Sequence, residues 1–393
     1  MHLNVVILVI HALLLYGWVL FPALLFYFSR RRTAPEYDFD ESAAPAVTVV
    51  LSAYNEEDNV AARIRNLRRL DFPQERLRVL IGIDGSQDET AEEARAAAAG
   101  ARNIVILDFP ENRGKVAVLR DLVARAQEDG GDGEILIFTD ANSKFAPDAL
   151  QRLIAPFADP GIGAVCGKLV FVRPERGSTE ENLYWRLENW LKAKESVIDS
   201  CLGANGAIYA IRSPLFWSAI PSNTVIDDFV IAMKVREQNF RIIYEPRALA
   251  TEALPSKVHH EWTRRVRIGA GDFQALRLCR ACLKPSFGPF AWIFWSHKVL
   301  RWFTPHLILA GSLLVIRASA NPGERLGWLF LAVYGAVGAA MLLGRRSGLR
   351  KGYAPKLFRA CHYMVILQAA IFAGFLRFCR GNLEGRWQRT ARE

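Results

Sequence analysis

Apolar runs of two different lengths alternate with polar segments along this 393-residue chain. The longest run, from Leu3 to Phe28, contains no charged residue apart from a possible charge on His11. It exceeds the ~20 residues that a helix needs to cross a bilayer. Short apolar runs bounded by polar turns recur between residues 47 and 254, as is typical of buried strands. The pattern predicts a globular domain that follows one membrane helix.

Four strand–helix units follow one another in the first part of this domain. Their strands are predicted at the start of VTVVLSAYNEED, at the start of LRVLIGIDGSQDET ahead of the Asp84-Gly85-Ser86 turn, in NIVILDF, and in the apolar run Ile135–Phe138. Short links between strand and helix favour a parallel, doubly wound sheet of the α/β class. The chain contains neither a P-loop nor a GxGxxG fingerprint, so an NTPase or a Rossmann dehydrogenase is not expected.

The second part of the domain mixes strands with two predicted helices. Gly161–Val172 reads as a strand, and Thr179–Ile198 has the apolar stripe of a helix. Small residues in GANGAIYAIR predict a sharp turn before a strand, where a ligand or a backbone can come close. A helix is predicted to begin at Asp227, and the strand FRIIYEP follows it.

The ends of the chain predict a membrane protein. Arg30, Arg31 and Arg32 directly follow the first apolar run and place the next segment in the cytoplasm. We predict six segments in chain order: a transmembrane helix (1–29), a linker (30–46), a cytoplasmic α/β domain (47–275), an amphipathic interfacial region (276–303), C-terminal transmembrane helices (304–378) and a basic tail (379–393).

The number of C-terminal crossings is left open by the pattern. One short span is predicted at residues 304–316, after an interfacial helix, and two more at Gly327–Gly344 and Leu357–Leu376. Three crossings place the arginine-rich tail outside the cytoplasm, against the usual bias of positive charge. The alternative is that residues 287–316 do not fully cross. We favour three crossings.

Charge is distributed unevenly. From Pro255 to Glu393 there are 22 Lys and Arg but only 5 Asp and Glu, so this part carries +17 and the preceding part −7 of a net +10. A net acidic domain ahead of a basic, aromatic rear part argues against nucleic acid as a partner and favours membrane lipid. Cys279 and Cys282 form one CxxC without a second pair at zinc-site spacing, so no metal site is expected there.

Candidate chemistry lies just past the fourth predicted strand. Asp140 and Asn142 are two residues apart, so both side chains can face one ligand at the mouth of the sheet. Hard oxygen ligands beside a diphosphate suit Mg²⁺ or Mn²⁺. A strand followed by an ordinary Asp/Asn/Ser turn is the alternative interpretation.

Two further clusters are charged. Asp227 and Asp228 begin a helix, where they either form an ordinary acidic first turn or direct one carboxylate at a substrate. Arg264 and Arg267 share a helix face, whereas Arg265 is expected to point elsewhere. Guanidinium groups can hold a departing diphosphate, although a basic helix can also lie on anionic lipid.

Six motifs in order resemble those of family 2 glycosyltransferases with the GT-A fold. The resemblance covers about residues 46–275, and its motifs are AYNEE, DGS, NRGK, TDAN, IDD and RRVRIGAG. The flanking apolar spans resemble the membrane arrangement of cellulose, hyaluronan and poly-N-acetylglucosamine synthases. It implies a GT-A catalytic domain with N- and C-terminal transmembrane helices.

The resemblance also implies roles for individual residues. In chain order they are the nucleotide-binding loop (Tyr54, Glu56), uracil binding (Asp84), the vicinity of the nucleotide (Arg113, Lys115), metal and diphosphate binding (Asp140), the general base (Asp228) and the region over the diphosphate (Arg264, Arg265, Arg267).

Two positions depart from the family's pattern. Asn142 stands where many members have a second Asp, and so supplies a neutral metal ligand. Arg264 and Ile268 stand where the synthases have Gln and Trp. Because that Trp contributes to the acceptor site of the processive enzymes, its absence puts processivity in question.

The predicted function is that of an inverting glycosyltransferase in the inner cell membrane, multi-pass, with its catalytic domain in the cytoplasm. It moves a sugar from a UDP-sugar to a growing polysaccharide with Mg²⁺ or Mn²⁺, alone, as a homo-oligomer or with a partner chain. Transfer of one sugar to a lipid-linked acceptor is the first alternative. A non-catalytic nucleotide-binding scaffold and a basic nucleic-acid binder are the others. Aromatic residues near the interfacial helix either stack on sugar rings or form a headgroup belt: Trp292, Trp295, Trp302 and Phe303.

Overall fold

The computed structural model describes residues 2–130, 135–172, 179–253, 258–321, 325–346, 353–381 and 383. Eight strands form one sheet in the order β3-β2-β1-β4-β7-β6-β8-β5. The strands are β1 (Val47–Ala53), β2 (Leu77–Asp84), β3 (Ile104–Phe109), β4 (Ile135–Asp140), β5 (Lys144–Phe145), β6 (Ile162–Val172), β7 (Tyr209–Arg212) and β8 (Arg241–Ala253).

Helices cover the sheet and extend from both ends of the chain. The α-helices are α1 (His2–Leu15), α2 (Phe21–Ser29), α3 (Glu57–Leu67), α4 (Thr90–Ala98), α5 (Lys115–Gly130), α6 (Ala149–Ile154), α7 (Thr179–Ile198), α8 (Asp227–Glu237), α9 (Val258–Leu278), α10 (Pro289–Ile293), α11 (Leu300–Trp302), α12 (Thr304–Ser319), α13 (Arg325–Arg346) and α14 (Tyr353–Cys379). Two π-helical segments, Tyr16–Leu20 and Phe294–Val299, join α1 to α2 and α10 to α11.

The α/β class is confirmed, but only half of the sheet is parallel throughout. Strands β1, β2, β3 and β4 pair in parallel. In the other half β7 runs antiparallel to β4 and β6, and β5 runs antiparallel to β8. Strands β6 and β8 pair in parallel. The sheet is therefore mostly parallel, as expected, with antiparallel pairings confined to β7 and β5. A strand of only four residues, such as β7, has no sequence feature that fixes its direction.

Parallel pairing brings the predicted motifs to one edge. In register, Ser52 of β1 lies opposite Gly82 of β2 and Asp140 of β4. The three strands therefore end side by side, and the loops that follow them start from the same edge of the sheet. This edge is where ligands of open α/β sheets bind.

Successive apolar residues of each strand point to opposite faces of the sheet, so a buried core forms on each face. Val49 and Ile137 belong to one buried cluster, and Val50 and Leu136 belong to the other. The second cluster continues into Phe21 of the N-terminal helix and into residues of α10. The apolar helices and the domain therefore share one core.

Within the described ranges, a single helix is long and apolar enough by itself to cross a membrane. It runs from His2 to Ser29 with a mean hydropathy of 2.3. Residues Pro289–Trp302 and Thr304–Ser319 qualify only together, as a pair bent by 59°. The bend falls at the predicted boundary between interfacial helix and span. Crossing by the C-terminal helices stays a prediction, and most of the basic tail lies outside the described residues.

Helices α9 and α14 approach each other so closely that glycine is required. A Cβ atom at Gly374 would lie 2.6 Å from the backbone nitrogen of Ala270 and 2.6 Å from the carbonyl carbon of Gly269. Backbone atoms cannot move aside as a flexible side chain can. The contact fixes the position of α9, which carries the arginine motif.

We expect Gly374→Val to destabilise the protein by ~1–3 kcal/mol, because overpacking displaces one helix from the other. The midpoint of thermal unfolding in detergent should fall. The matched control is Gly335→Val on α13, where an added Cβ meets nothing within 4 Å. Equal midpoints for the two variants would contradict the close contact.

Candidate active site

Two carboxylates meet at the turn before β7. The backbone N–H of Gly206 donates to Asp228 Oδ2 over 2.7 Å. A Cβ atom at Gly206 would lie 3.3 Å from Asp140 Oδ2 and 3.4 Å from Asp228 Oδ2. The carboxylates of the TDAN and IDD motifs therefore both lie against Gly206, one of the small residues predicted to permit close approach.

Lys115, the last residue of NRGK, completes this group. Its Nζ lies 2.9 Å from Asp140 Oδ1 and 3.4 Å from Asp227 Oδ2. Burial disfavours the ammonium, but the attraction of Asp140 and Asp227, with Asp228 nearby, outweighs it and holds the pKa of Lys115 above its ordinary value. The lysine is therefore a fixed positive charge between the strand end and α8.

The acidic pair at the start of α8 takes two different positions. Asp227 faces Lys115, whereas Asp228 accepts hydrogen bonds from Gly206 and from the backbone N–H of Phe229. Burial, followed by repulsion from Asp227, raises the pKa of Asp228 to about 6. A carboxylate of this basicity is charged at neutral pH and able to accept a proton.

Asp84 organises the loop that leads into α5. Its carboxylate accepts hydrogen bonds from the backbone N–H groups of Arg113 (2.8 Å) and Gly114 (2.9 Å). The guanidinium of Arg113 turns outward to Asp121, 2.7 Å away, and packs over the ring of Phe109. Of the NRGK motif, Lys115 and not Arg113 reaches the carboxylates.

The AYNEE loop is bound to the DGS loop. Asn55 has a positive φ of 51°, donates its N–H to Ser86 Oγ and accepts at Oδ1 from the N–H of Gln87. Glu56 donates its N–H to Thr90 Oγ1 over 2.7 Å. The two loops therefore hold one another, and a small cleft between them is lined by Tyr54, Glu56, Asp84 and Lys115, together with Ser52 and Ala141.

A cavity of about 780 Å³ opens beside these loops. It shares Glu56 and Lys115 with the small cleft, where Tyr54 and Asp84 lie. The predicted site residues that line it are Glu56, Lys115, Asp140, Asn142, Asp228, Arg264, Arg265 and Arg267. Arg113 is the predicted residue found on neither lining. The structure thus brings together motifs that are far apart in sequence.

Arg264, Arg265 and Arg267 of α9 all line the cavity. The expectation that Arg265 points elsewhere is wrong, because the cavity extends between α9 and α14, with Leu367 and Ile371 on its wall. The guanidinium of Arg265 hydrogen-bonds to the hydroxyl of Tyr363 and lies over its ring. Burial lowers the pKa of Arg267 below its ordinary value, yet guanidinium remains charged at neutral pH.

The donor set at the strand end suits an ion that a substrate helps to hold. The described ranges contain no cluster of three or more His, Cys, Asp or Glu placed to bind a metal. Asp140 and Asn142 nevertheless both face the cavity, and the Asp140 side chain is 21% exposed. One carboxylate and one amide fit Mg²⁺ or Mn²⁺, which complete their coordination with phosphate oxygens and water.

Several residues of this region were not identified from the sequence. Lys192 is buried and donates to Asn205 Oδ1 over 2.9 Å, next to Gly206. Arg63 is 2% exposed and donates to Thr139 Oγ1 over 2.9 Å, directly behind Asp140. Arg63 lies on the apolar stripe of α3. A charged residue among core-facing positions indicates a buried polar contact, so the sequence could have singled it out. Lys192 gave no such indication.

The site thus combines a mixed α/β sheet, acidic loops at its strand ends and an arginine-bearing helix that faces them. Residues 48–209 match the family profile described as Glycosyl transferase family 2. The chain therefore carries a family 2 glycosyltransferase domain, as its motifs predicted.

Curated relatives extend the similarity beyond that domain. Poly-beta-1,6-N-acetyl-D-glucosamine synthase of Staphylococcus aureus strain MSSA476 is 25% identical over 267 residues, which is 65% of this chain and 62% of that protein. The synthase of Staphylococcus epidermidis is 24% identical over 238 residues, 58% of this chain and 55% of that protein. The chain thus spans less than two thirds of the curated relatives it matches.

A solved structure shares the fold over almost the whole chain. Mannosyltransferase PcManGT from Pyrobaculum calidifontis, in complex with GDP-Man and Mn2+, superposes with a TM-score of 0.70. The match covers 96% of this chain and 99% of that one at 23% sequence identity. The likeness is one of fold, and it includes the elements outside the sheet.

Proposed function

We propose that the protein is a membrane-bound inverting glycosyltransferase that moves a sugar from a nucleotide sugar, a UDP-sugar, to a growing polysaccharide. The observation that carries the proposal is the convergence of Asp140, Asp228 and Lys115 at Gly206. They stand in one cavity with the arginines of α9. The names of the curated relatives support a polysaccharide as the product.

Asp228 is the proposed general base. It removes the proton from the acceptor hydroxyl while that oxygen bonds to the anomeric carbon of the donor. The bond from that carbon to the diphosphate breaks, and the nucleoside diphosphate leaves on the opposite face, so the configuration inverts. A positioned base contributes ~10²–10⁴-fold to such a step.

The leaving diphosphate requires positive charge. Arg264, Arg267 and Lys115 all line the cavity, which suits a diphosphate held among them. Asp140 and Asn142 would hold Mg²⁺ or Mn²⁺, and the bound ion would supply further neutralisation of the diphosphate. The described complex of PcManGT with Mn2+ supports a divalent ion in this fold.

One observation favours a second candidate, addition of a single sugar to a lipid-linked acceptor. Ile268 lines the cavity at the position where the processive synthases have Trp. The cavity also reaches Trp18 of the N-terminal apolar helix, so an acceptor held in the bilayer has access to it. Because PcManGT binds GDP-Man, GDP-mannose should be tested as a donor beside the UDP-sugars.

The test is a panel of labelled donors given to membranes that contain the protein. UDP-N-acetylglucosamine, UDP-glucose and GDP-mannose are supplied in turn with Mn²⁺, and products are sized. Long polymer from one donor supports the polysaccharide reading, and single-sugar lipid products support the second candidate. Nucleotide binding without turnover of any donor contradicts both and indicates a non-catalytic scaffold.

The rate should fall as pH drops below ~6, because Asp228 becomes protonated there and no longer accepts a proton. Asp227→Asn removes the neighbouring negative charge that helps to raise this pKa. The acidic limb of the pH–rate profile should then move to lower pH, while the variant stays active. A limb that stays in place, or moves to higher pH, would contradict the assignment of the base.

A further inference from the structure

The end of the cavity that faces the apolar helices has no part in the donor chemistry. Its wall there includes Trp18, Asp272, Lys298, Arg301 and Trp302. Trp302 is buried and its ring centre lies 5.9 Å from that of Phe229, the residue after Asp228. This end of the cavity therefore adjoins the proposed base.

Trp18 is held rigidly at this wall. Its Nε1 donates to Thr304 Oγ1 over 3.2 Å, and the Arg301 guanidinium lies 4.7 Å from the ring centre. The π-helical segments that meet here are joined by a hydrogen bond of 2.8 Å between Tyr16 and Ser296. Such segments occur frequently at functional sites. An aromatic ring fixed before binding loses little entropy when it contacts a ligand.

Both cations of this wall are paired with one carboxylate, that of Glu188. Glu188 accepts from Lys298 Nζ (2.9 Å) and Arg301 Nη1 (3.1 Å), and its Oε1 lies 3.3 Å from His297 Nε2. A phosphate placed here would have to displace Glu188 from Lys298 and Arg301, whereas an uncharged ligand can bind without breaking these ion pairs.

Asp272 supplies a polar group without an assigned task. It lines the cavity and forms no hydrogen bond with any residue in the described ranges. Burial raises the pKa of Asp272 to about 8, so the carboxyl group is mainly protonated at neutral pH. In that form it both donates and accepts a hydrogen bond, as a sugar hydroxyl does.

We propose that Trp18 and Asp272 form a subsite for a pyranose ring of the acceptor glycan. The apolar face of the ring packs on the indole, and a ring hydroxyl exchanges hydrogen bonds with Asp272. The buried Trp302 lines the same cavity as Asp228 and packs against Phe229, the residue after this base. The role in transfer rests on the proposed function, but glycan binding does not, and it is measured separately.

The experiment uses the full-length protein in detergent and isothermal titration calorimetry. The probes are a β-1,6-linked N-acetylglucosamine tetramer, mannotetraose and undecaprenyl phosphate without sugar. We expect one tetramer to bind, and Trp18→Leu and Asp272→Ala to weaken that binding by about tenfold. Trp18→Phe and Asp272→Asn should stay within about threefold of the wild type, because the ring and the neutral hydrogen-bonding group are retained.

Trp295→Leu is the matched control, because Trp295 is 51% exposed and does not line the cavity. UDP and GDP binding, measured on the same samples, should be unchanged in all variants and shows that each one is folded. Absence of tetramer binding, or equal weakening by Trp295→Leu, overturns the subsite. Binding of undecaprenyl phosphate alone overturns it in favour of a lipid phosphate. If the wild-type protein binds neither UDP nor GDP, that result counts against the proposed function and not against the subsite.

Discussion

Replacing Asp228 with Asn should reduce glycosyl transfer by ~10²-fold or more while leaving donor binding unchanged. In the wild type the Gly206 N–H donates to Asp228 over 2.7 Å. The amide oxygen of Asn can still accept this hydrogen bond, so the turn stays in place. What is lost is the ability to take a proton. Transfer is measured with labelled donor, and binding by titration with the nucleotide.

Asp227→Asn is the matched control for this variant. Asp227 pairs with Lys115 and accepts no hydrogen bond from Gly206. Its replacement should therefore leave the rate within about tenfold of the wild type. If Asp227→Asn is inactive and Asp228→Asn active, the roles within the pair are reversed.

Replacing Asp140 with Asn should also abolish most turnover and weaken nucleotide binding in the presence of Mn²⁺. The carboxylate neutralises Lys115 across 2.9 Å and is the charged member of the proposed metal-binding pair. The loss should be larger in Mn²⁺ than in its absence, which titration of UDP under both conditions measures.

Asn142→Asp gives the opposite test at the same site. A second carboxylate in place of the amide should lower the Mn²⁺ concentration needed for half-maximal activity, because a charged ligand binds a divalent cation more strongly. Unchanged metal dependence in both variants would remove the TDAN motif from the metal site.

Local pattern predicted the elements that carry the site. Thr179–Ile198 forms a helix with the predicted bounds, and a helix begins at Asp227 as expected. The position of Asp140 at the end of β4, and that of Glu56 after β1, followed from the ends of apolar runs. Such features depend on neighbouring residues, which a single sequence displays directly.

Long-range contacts were not predictable in the same way. The antiparallel direction of β7, the outward turn of Arg113 and the contact of Arg265 with Tyr363 depend on elements distant in sequence. Trp18 was read only as part of an apolar run. Its place on the cavity wall depends on the packing of the N-terminal helix against residues 289–302, which hydropathy does not show.

Continuity of the core has a functional consequence. Phe21 and Phe290, from opposite ends of the chain, belong to the same buried cluster as Val50 and Leu136 of the sheet. The apolar helices are therefore packed on the catalytic domain and line its cavity. A glycan acceptor and a nucleotide-sugar donor can then meet in one enclosure.

The most direct test of the account is the anomeric configuration of the first product. The wild-type protein is incubated with the α-linked donor identified in the panel, and the new glycosidic bond is analysed by nuclear magnetic resonance. A single base at Asp228 with displacement of the diphosphate predicts a β-linked product. An α-linked product would contradict the account.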